Sequence, residues 1–484
     1  MGLSTLIPQR LCYGPIGSGA GDVVRLSFNE ITVPEFREGR YGVCHYSEMA
    51  LGGCVGPLGF DQMLWFCLEL DGRLQDPSKL VAVQYVAEER QNVAVVTGAY
   101  LVLVQGWSAA ELRRALPEDA GLTFPCSWAT PRGLKTSQGA PRMTVQDCWE
   151  GVQMARDLGW LSKDSVKDGV VAALAASKFW KITCQYDGAW LVPGAIFVMA
   201  DPMTTIHDPN PATCAAFRRE CGDDPELEEA SLDDLRGLTK CTAAPPMVLL
   251  PPSAVCGDAE GEEEAAPDPL VSTAASERDR DGADDLLAGA SVHTVCKAYG
   301  AGAGGPKGCG QWPGAKPFVD FLLEEGIGTV VRVNMPDEQG LAEIGGSYDA
   351  RLLAEHRIRH EDVFVSDSKA DSKGAVPPSG VIRRFFRLVG DTSPEGCGAV
   401  LVHCKGGFGR SVFMACLLII YRYDVPGRGL LGWVRIARPG AITTPEQEAA
   451  LRSITGREDL CRKYGVPCEG PGGAPTGQAC CTVS

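Results

Sequence analysis

The chain has 484 residues, 45% of them hydrophobic and 22% charged, with a formal net charge of −16, which is material for two or three packed domains at roughly 100 to 200 residues each. The acidic balance excludes general binding to phosphate backbones, so nucleic acid is not an expected ligand, and the best apolar run, Phe413 to Tyr421, falls far short of the roughly 18 residues of a membrane span. With no basic-then-apolar leader in MGLSTLIPQR, the 20 cysteines read as free thiols of a cytoplasmic or nuclear protein; no C-x-x-C pair exists and the 6 histidines do not fall at zinc-ligand spacing, so no metal and no cofactor are expected.

In chain order, residues 1–24 read as an N-terminal extension and 25–175 as a first domain. Within it, Lys79 to Val86 reads as a buried strand, and Glu88 to Gln105, apolar at helical spacing in spite of its β-branched residues, as a helix. Ser108 caps a short helix that Glu111, three positions on, closes into a capping box. Residues 176–207 read as an interdomain linker and the approach to a second domain. In 208–314 the stretch Gly257 to Leu286 carries eleven acidic residues against two Arg in a setting of Ala, Gly, Ser and Pro. Such a composition does not bury enough apolar surface to offset ordering entropy, and a disordered insertion is expected, either a plain solvated linker or a docking segment.

The second domain, 315–462, alternates: Phe318 to Glu325 helix, Thr329 to Asn334 strand, His360 to Val365 strand, Val381 to Val389 helix, Ala399 to His403 strand, Arg410 to Tyr423 helix. That pattern implies an α/β fold with a mostly parallel sheet flanked by helices. Residues 463–484 read as a flexible tail.

The most informative segment is Val400-Leu-Val-His-Cys-Lys-Gly-Gly-Phe-Gly-Arg-Ser411, an apolar strand, a glycine-rich loop and the start of a helix. Backbone N–H groups of Lys405, Gly406, Gly407, Phe408, Gly409 and Arg410 are able to converge on one anion there, helped by the positive end of the helix. Cys404 opens the loop, where the same field favours thiolate, and Arg410 returns above it to hold two phosphate oxygens in bidentate fashion. A nucleophile, an oxyanion cradle and a fixed cation around one tetrahedral dianion make a phosphatase signature. A structural cysteine before an ordinary strand-to-helix turn would require His403, Cys404, Gly407, Arg410 and Ser411 to coincide by chance.

This segment resembles cysteine-dependent protein tyrosine and dual-specificity phosphatases, and its surroundings resemble the cell-division-cycle-fourteen type. HEDVFVSD (His360 to Asp367) is similar to that family's strand ending in the general acid, VIRRFF (Val381 to Phe386) to the helix that follows, and LLGWVRIARPGAITTPEQ (Leu430 to Gln447) to its post-catalytic helices. Upstream, GPLGFDQMLWFCLEL (Gly56 to Leu70), TGAYLVL (Thr97 to Leu103) and WLVPG (Trp190 to Gly194) resemble its N-terminal domain and the approach to the catalytic one. The resemblance implies two tandem phosphatase-like domains, only the second catalytic, acting on phosphoserine, phosphothreonine or phosphotyrosine of protein substrates in cell-cycle or cytoskeletal signalling. It implies that Cys404 attacks phosphorus to form a phosphocysteine, that Arg410 and the loop amides stabilise the transferring group, that His403 tunes the thiolate and that Ser411 eases its departure.

Asp367 would be the general acid and then base, with Asp371 the other candidate. Gln447 matches the residue that positions the hydrolytic water, although Thr444-Pro-Glu-Gln447 is equally a capping box. A low-turnover phosphate-binding scaffold is the alternative function, motivated by the long loop from Ser366 to Ser379. Phe408, standing where a lipid phosphatase would place a basic residue, favours a protein substrate. In the acidic groove that the family uses to select basic residues, only Asp187 remains in Lys181 to Asp187. Finally, Cys481-Thr-Val-Ser484 fits a farnesylation box, with Cys480 as a second acylation site and membrane association as the consequence.

Overall fold

Two runs rich in β-branched and small apolar residues, LVAVQY and AVLVH, are buried on both faces and become interior strands of two separate sheets. The computed structural model describes residues 3–15, 23–27, 57–78, 80–85, 87–124, 142–167, 178–179, 182, 186–203, 315–338, 341–342, 346–365, 376–390 and 398–468, all within one compact unit. The acidic stretch, Asp367, Asp371, Cys480 and Cys481 lie outside the described residues.

The first half comprises β1 (Ser4–Ile7), β2 (Leu11–Pro15), β3 (Val23–Ser27), α1 (Phe60–Leu74), β4 (Leu80–Tyr85), α2 (Arg90–Leu103), α3 (Ala109–Ala115), α4 (Pro117–Ala120), α5 (Val145–Asp157) and α6 (Asp164–Lys167). Its sheet runs β1-β2-β4-β3, with β4 parallel to both neighbours and β1 antiparallel to β2. The helix expected from Glu88 begins instead at Arg90, after a 3-10 turn over Ala87–Glu89. The capping box is present: the Glu111 N–H donates to Ser108 Oγ at 3.2 Å, and the Ser108 N–H donates to Glu111 Oε2 at 2.7 Å.

The second half comprises β5 (Gly188–Val192), β6 (Ile196–Met199), α7 (Ala315–Glu324), β7 (Ile327–Arg332), α8 (Arg351–Ala354), β8 (Arg359–Asp362), α9 (Ser379–Val389), β9 (Ala399–His403), α10 (Arg410–Tyr423), α11 (Gly427–Ala437), α12 (Pro445–Arg452) and α13 (Arg457–Tyr464). The sheet order is β5-β6-β9-β7-β8, parallel except for the β5/β6 hairpin. Side chains of β9 alternate as a strand requires. Val400 and Val402 join the large core shared with the first half, while Ala399 and Leu401 face a second core with Phe318 and Leu322 of α7. β7 and β8 stop short of the expected ends because the regular ladder breaks there. Val363 and Val365 still donate to the carbonyls of Arg332 and Val333, both at 2.9 Å.

The halves meet where α5 lies against α11. A Cβ at Gly432 would collide with the Asp147 carbonyl, so glycine sets the close approach. Asp147, fully buried, ties α5 to α11 through Arg428 at 2.9 Å and to α12 through Arg452. Among the described residues no helix is long and apolar enough to cross a membrane.

Candidate active site

At the carboxyl end of β9, where open parallel sheets place their ligand sites, His403 and Cys404 lead into the loop 404–409 and then α10. Three loop carbonyls are held from outside. The Lys405 oxygen accepts from the Asp201 N–H at 3.1 Å, the Phe408 oxygen from the Ile442 N–H at 2.8 Å, and the Gly407 oxygen from Arg438 Nε at 3.2 Å. A trans peptide points its C=O and the next N–H in opposite directions. Fixing those oxygens outward therefore turns the N–H groups of Gly406, Phe408 and Gly409 toward the hollow of the loop. The Gly407 N–H donates to Cys404 Sγ at 3.2 Å. Only glycine serves at 407: its φ is +67°, and a Cβ would stand 2.6 Å from the Met199 carbonyl oxygen. Gly409 supplies no capping side chain to α10, so the positive helix end also faces the hollow.

Cys404 is buried, its sulfur 3.2 Å from Ser411 Oγ as well as from the Gly407 N–H. Arg410 forms a two-pronged ion pair with Glu338, Nη1 to Oε2 and Nη2 to Oε1 both at 2.7 Å, and also donates to the Val365 carbonyl at 3.1 Å. That last bond fixes the chain just ahead of the segment carrying Asp367. Glu338 escapes a reading of the sequence because it lies in the turn after β7, 72 positions from its partner. The only hint is an acidic residue following the carboxyl end of an apolar strand. Lys405 is half-buried and Gly406 exposed at the mouth.

Gln447 is fully buried in the first turn of α12. Of the expected capping box the N-cap bond is present, Thr444 Oγ1 accepting the Gln447 N–H at 3.2 Å, and the Gln447 amide lies beside Gly409, where a Cβ would be 3.6 Å from Oε1. Phe408 differs from expectation. Its ring is buried under the Arg438 guanidinium, 4.0 Å from centroid to cation, rather than turned toward the mouth of the loop. Asp187 is likewise committed, at 2.7 Å from Arg438 Nη2.

Behind the loop, His403 Nε2 contacts the Tyr348 hydroxyl at 2.7 Å, which contacts His360 Nε2 at 3.1 Å. His403 Nδ1 stands 3.9 Å from Asp201 Oδ2. Burial pushes His403 well below the usual imidazole range and His360 down to about 4, and the Arg332 charge, paired with Asp362 at 2.7 Å, acts the same way. Both rings are neutral at pH 7. Because Tyr348 has one proton, it donates to one histidine and accepts from the other, and a proton on His403 Nδ1 faces the Asp201 carboxylate favourably.

Acid sensitivity follows. The unfolded histidines take up protons near pH 6.5, which the folded ones refuse, so stability falls as pH drops from 6.5 toward 4. His360 alone accounts for a loss on the order of 3 kcal/mol by pH 4. Asp201, pushed up by burial, acts in the opposite sense, so the comparison is with His360→Asn. Urea unfolding at pH 7.5, 6 and 5 should show a flatter profile in that variant, and identical profiles would refute the assignment.

No protein-family model matches the chain. Over 138 residues, 28% of this chain, it is 27% identical to the dual specificity protein phosphatase CDC14C of Homo sapiens, covering 26% of that protein. Over 130 residues, 27% of this chain, it is 31% identical to the dual specificity protein phosphatase CDC14A of Homo sapiens, covering 18% of it. A crystal structure of PTPMT1 superposes at a TM-score of 0.25 with 16% identity, over 31% of this chain and 88% of that one. The chain thus spans about a quarter or less of the length of these curated relatives.

Proposed function

We propose, from a chain whose curated relatives support a CDC14-type member of the protein tyrosine phosphatase superfamily, that it hydrolyses phosphate monoesters on protein side chains through a phosphocysteine. The observation that carries this reading is the Cys404 sulfur, held between the Gly407 N–H and the Ser411 hydroxyl in a loop whose amides are turned inward. A phosphate dianion seated there would receive those amides and the Arg410 guanidinium. Cys404 attacks phosphorus, the P–O bond to the side chain breaks, and Asp367 gives its proton to the leaving oxygen. Water then attacks the phosphocysteine, Asp367 takes its proton, Gln447 orients it, and Ser411 donates to the departing sulfur.

Two tandem phosphatase-like domains belong to the same proposal, the first half non-catalytic and the second catalytic; their bounds widen from the expected 25–175 and 315–462, because β1 and β2 of the expected N-terminal extension belong to the first sheet and β5 and β6 of the expected linker to the second. In support, β4 lies between parallel β2 and β3 and leads into α2 at Arg90, as β9 lies between parallel β6 and β7 and leads into α10 at Arg410. The turn of the first half reads Val86-Ala-Glu-Glu-Arg90, with neither cysteine nor glycine, and Arg90 is taken up by Asp119 at 2.7 Å.

The test is release of inorganic phosphate from para-nitrophenyl phosphate and from a phosphopeptide array, with trapping of phosphate on Cys404. Asp367→Ala should slow phosphopeptide hydrolysis by about 10²- to 10⁴-fold and the activated aryl ester far less, since a poor leaving group depends on protonation. Finding that selectivity in Asp371→Ala instead would move the acid there. A parent chain that binds phosphate without turning over the aryl ester would be the low-turnover scaffold.

A further inference from the structure

We propose that Arg438 is the positioning residue of the phosphate cradle and that Asp187 holds it in place. The inference deepens the phosphatase reading of the Cys404 loop and rests on it.

Arg438 is fully buried and touches the loop in two ways at once. Its Nε donates to the Gly407 carbonyl at 3.2 Å, and its guanidinium plane covers the Phe408 ring at 4.0 Å. The first contact orients the peptide between Gly407 and Phe408 so that the Phe408 N–H looks into the hollow. The second anchors the Phe408 side chain, and with it the Cα at which that peptide ends. The same turn of chain holds the next peptide, through the Ile442 N–H on the Phe408 oxygen at 2.8 Å. That turn is itself fixed by Arg435, which donates to the carbonyls of Ala441 at 3.0 Å and Ile442 at 3.2 Å and pairs with buried Glu448 at 2.9 Å. Two consecutive cradle amides therefore owe their direction to residues 438–442.

A guanidinium suits this task because one rigid plane offers a stacking face and N–H groups in separate directions; an ammonium offers neither. Nη2 is directed at Asp187 Oδ1, 2.7 Å away and 251 positions earlier in sequence. Asp187 sits at φ +44°, a left-handed conformation that aspartate and asparagine tolerate better than most residues. Its carbonyl accepts the Ala200 N–H at 3.0 Å, which fixes the backbone beside the loop. Asp187 thus serves as counter-ion to a buried cation, and its charge is not spent on a basic residue of the substrate.

The test uses the full chain with Asp187→Gly, which keeps the left-handed backbone and removes the counter-ion; Asp187→Asn, which keeps the acceptor oxygen; and Arg438→Lys. Thermal melting confirms that each folds. The readouts are affinity for inorganic phosphate by direct titration, kcat and KM for para-nitrophenyl phosphate, and kcat/KM for paired phosphopeptides with and without a basic residue after the phosphosite. Asp187→Gly should weaken phosphate binding and lower kcat/KM about tenfold, a fraction of what deleting an oxyanion donor outright costs, by one factor for every substrate. Asp187→Asn should recover most of it, and Arg438→Lys should resemble Asp187→Gly. Unchanged phosphate affinity, or a loss confined to peptides with the basic residue, would overturn the proposal. If the parent chain fails to hydrolyse the aryl ester, the phosphatase reading is refuted, while the phosphate titration still decides the role of Arg438 and Asp187.

Discussion

Cys404→Ser is expected to cut turnover of para-nitrophenyl phosphate on the order of 10⁶-fold, the scale on which removal of a catalytic nucleophile is felt, and to leave phosphopeptide binding in place. The reason is a separation between what attacks and what holds. The cradle amides are directed by bonds from Asp201, Ile442 and Arg438, and the cation is set by Glu338. None of these depends on sulfur. A hydroxyl at 404 would sit between the Gly407 N–H and Ser411 much as the thiol does, but an alcohol is a far weaker nucleophile near neutral pH. Stopped turnover with retained capture of phosphopeptide on a column is the expected pair of results. Appreciable hydrolysis by the serine variant would mean that the attacking group lies elsewhere.

Arg410→Ala should cost roughly 10³- to 10⁵-fold in kcat/KM, as for other arginines that meet a transferring phosphoryl group. Part of this loss comes from what remains. Glu338, only 10% exposed, would be left without its cationic partner at the mouth of a site that has to accept a dianion. The loss should therefore be non-additive: Arg410→Ala combined with Glu338→Gln should be about tenfold more active than Arg410→Ala alone, a coupling of the size expected for contacting residues. Equal activity of the single and double variants would show that Glu338 merely packs against the arginine.

What the sequence discloses is local. Cys404 to Ser411 carries its chemistry within one strand, one loop and one helical turn, and the Ser108 to Glu111 box closes over three positions. The alternation of Val400 and Val402 against Ala399 and Leu401 follows from the pleat alone. What it conceals depends on partners brought together by the fold. Glu338 finds Arg410 across 72 positions and Asp187 finds Arg438 across 251. Neither carboxylate differs in sequence from a solvated one. Phe408 misleads for the same reason: the motif gives its place in the loop, but the direction of its side chain is decided by Arg438. The early end of β8 reflects a ladder that becomes irregular after Asp362 while its bonds continue, which composition does not record.

Because the loop's carbonyls are fastened by Asp201 from one stretch of chain and by Arg438 and Ile442 from another, a ribosome must deliver the chain through Ile442 before the loop is fully fastened. At roughly 5 to 20 residues per second, the 251 positions between Asp187 and Arg438 represent about 10 to 50 seconds of synthesis. During that interval β6 has its hairpin partner β5 but not yet β9, and presents an apolar edge ready for unwanted pairing. On the proposed reading, phosphate binding is expected only after that interval. If the proposed activity holds, its loss on denaturation should coincide with global unfolding rather than precede it.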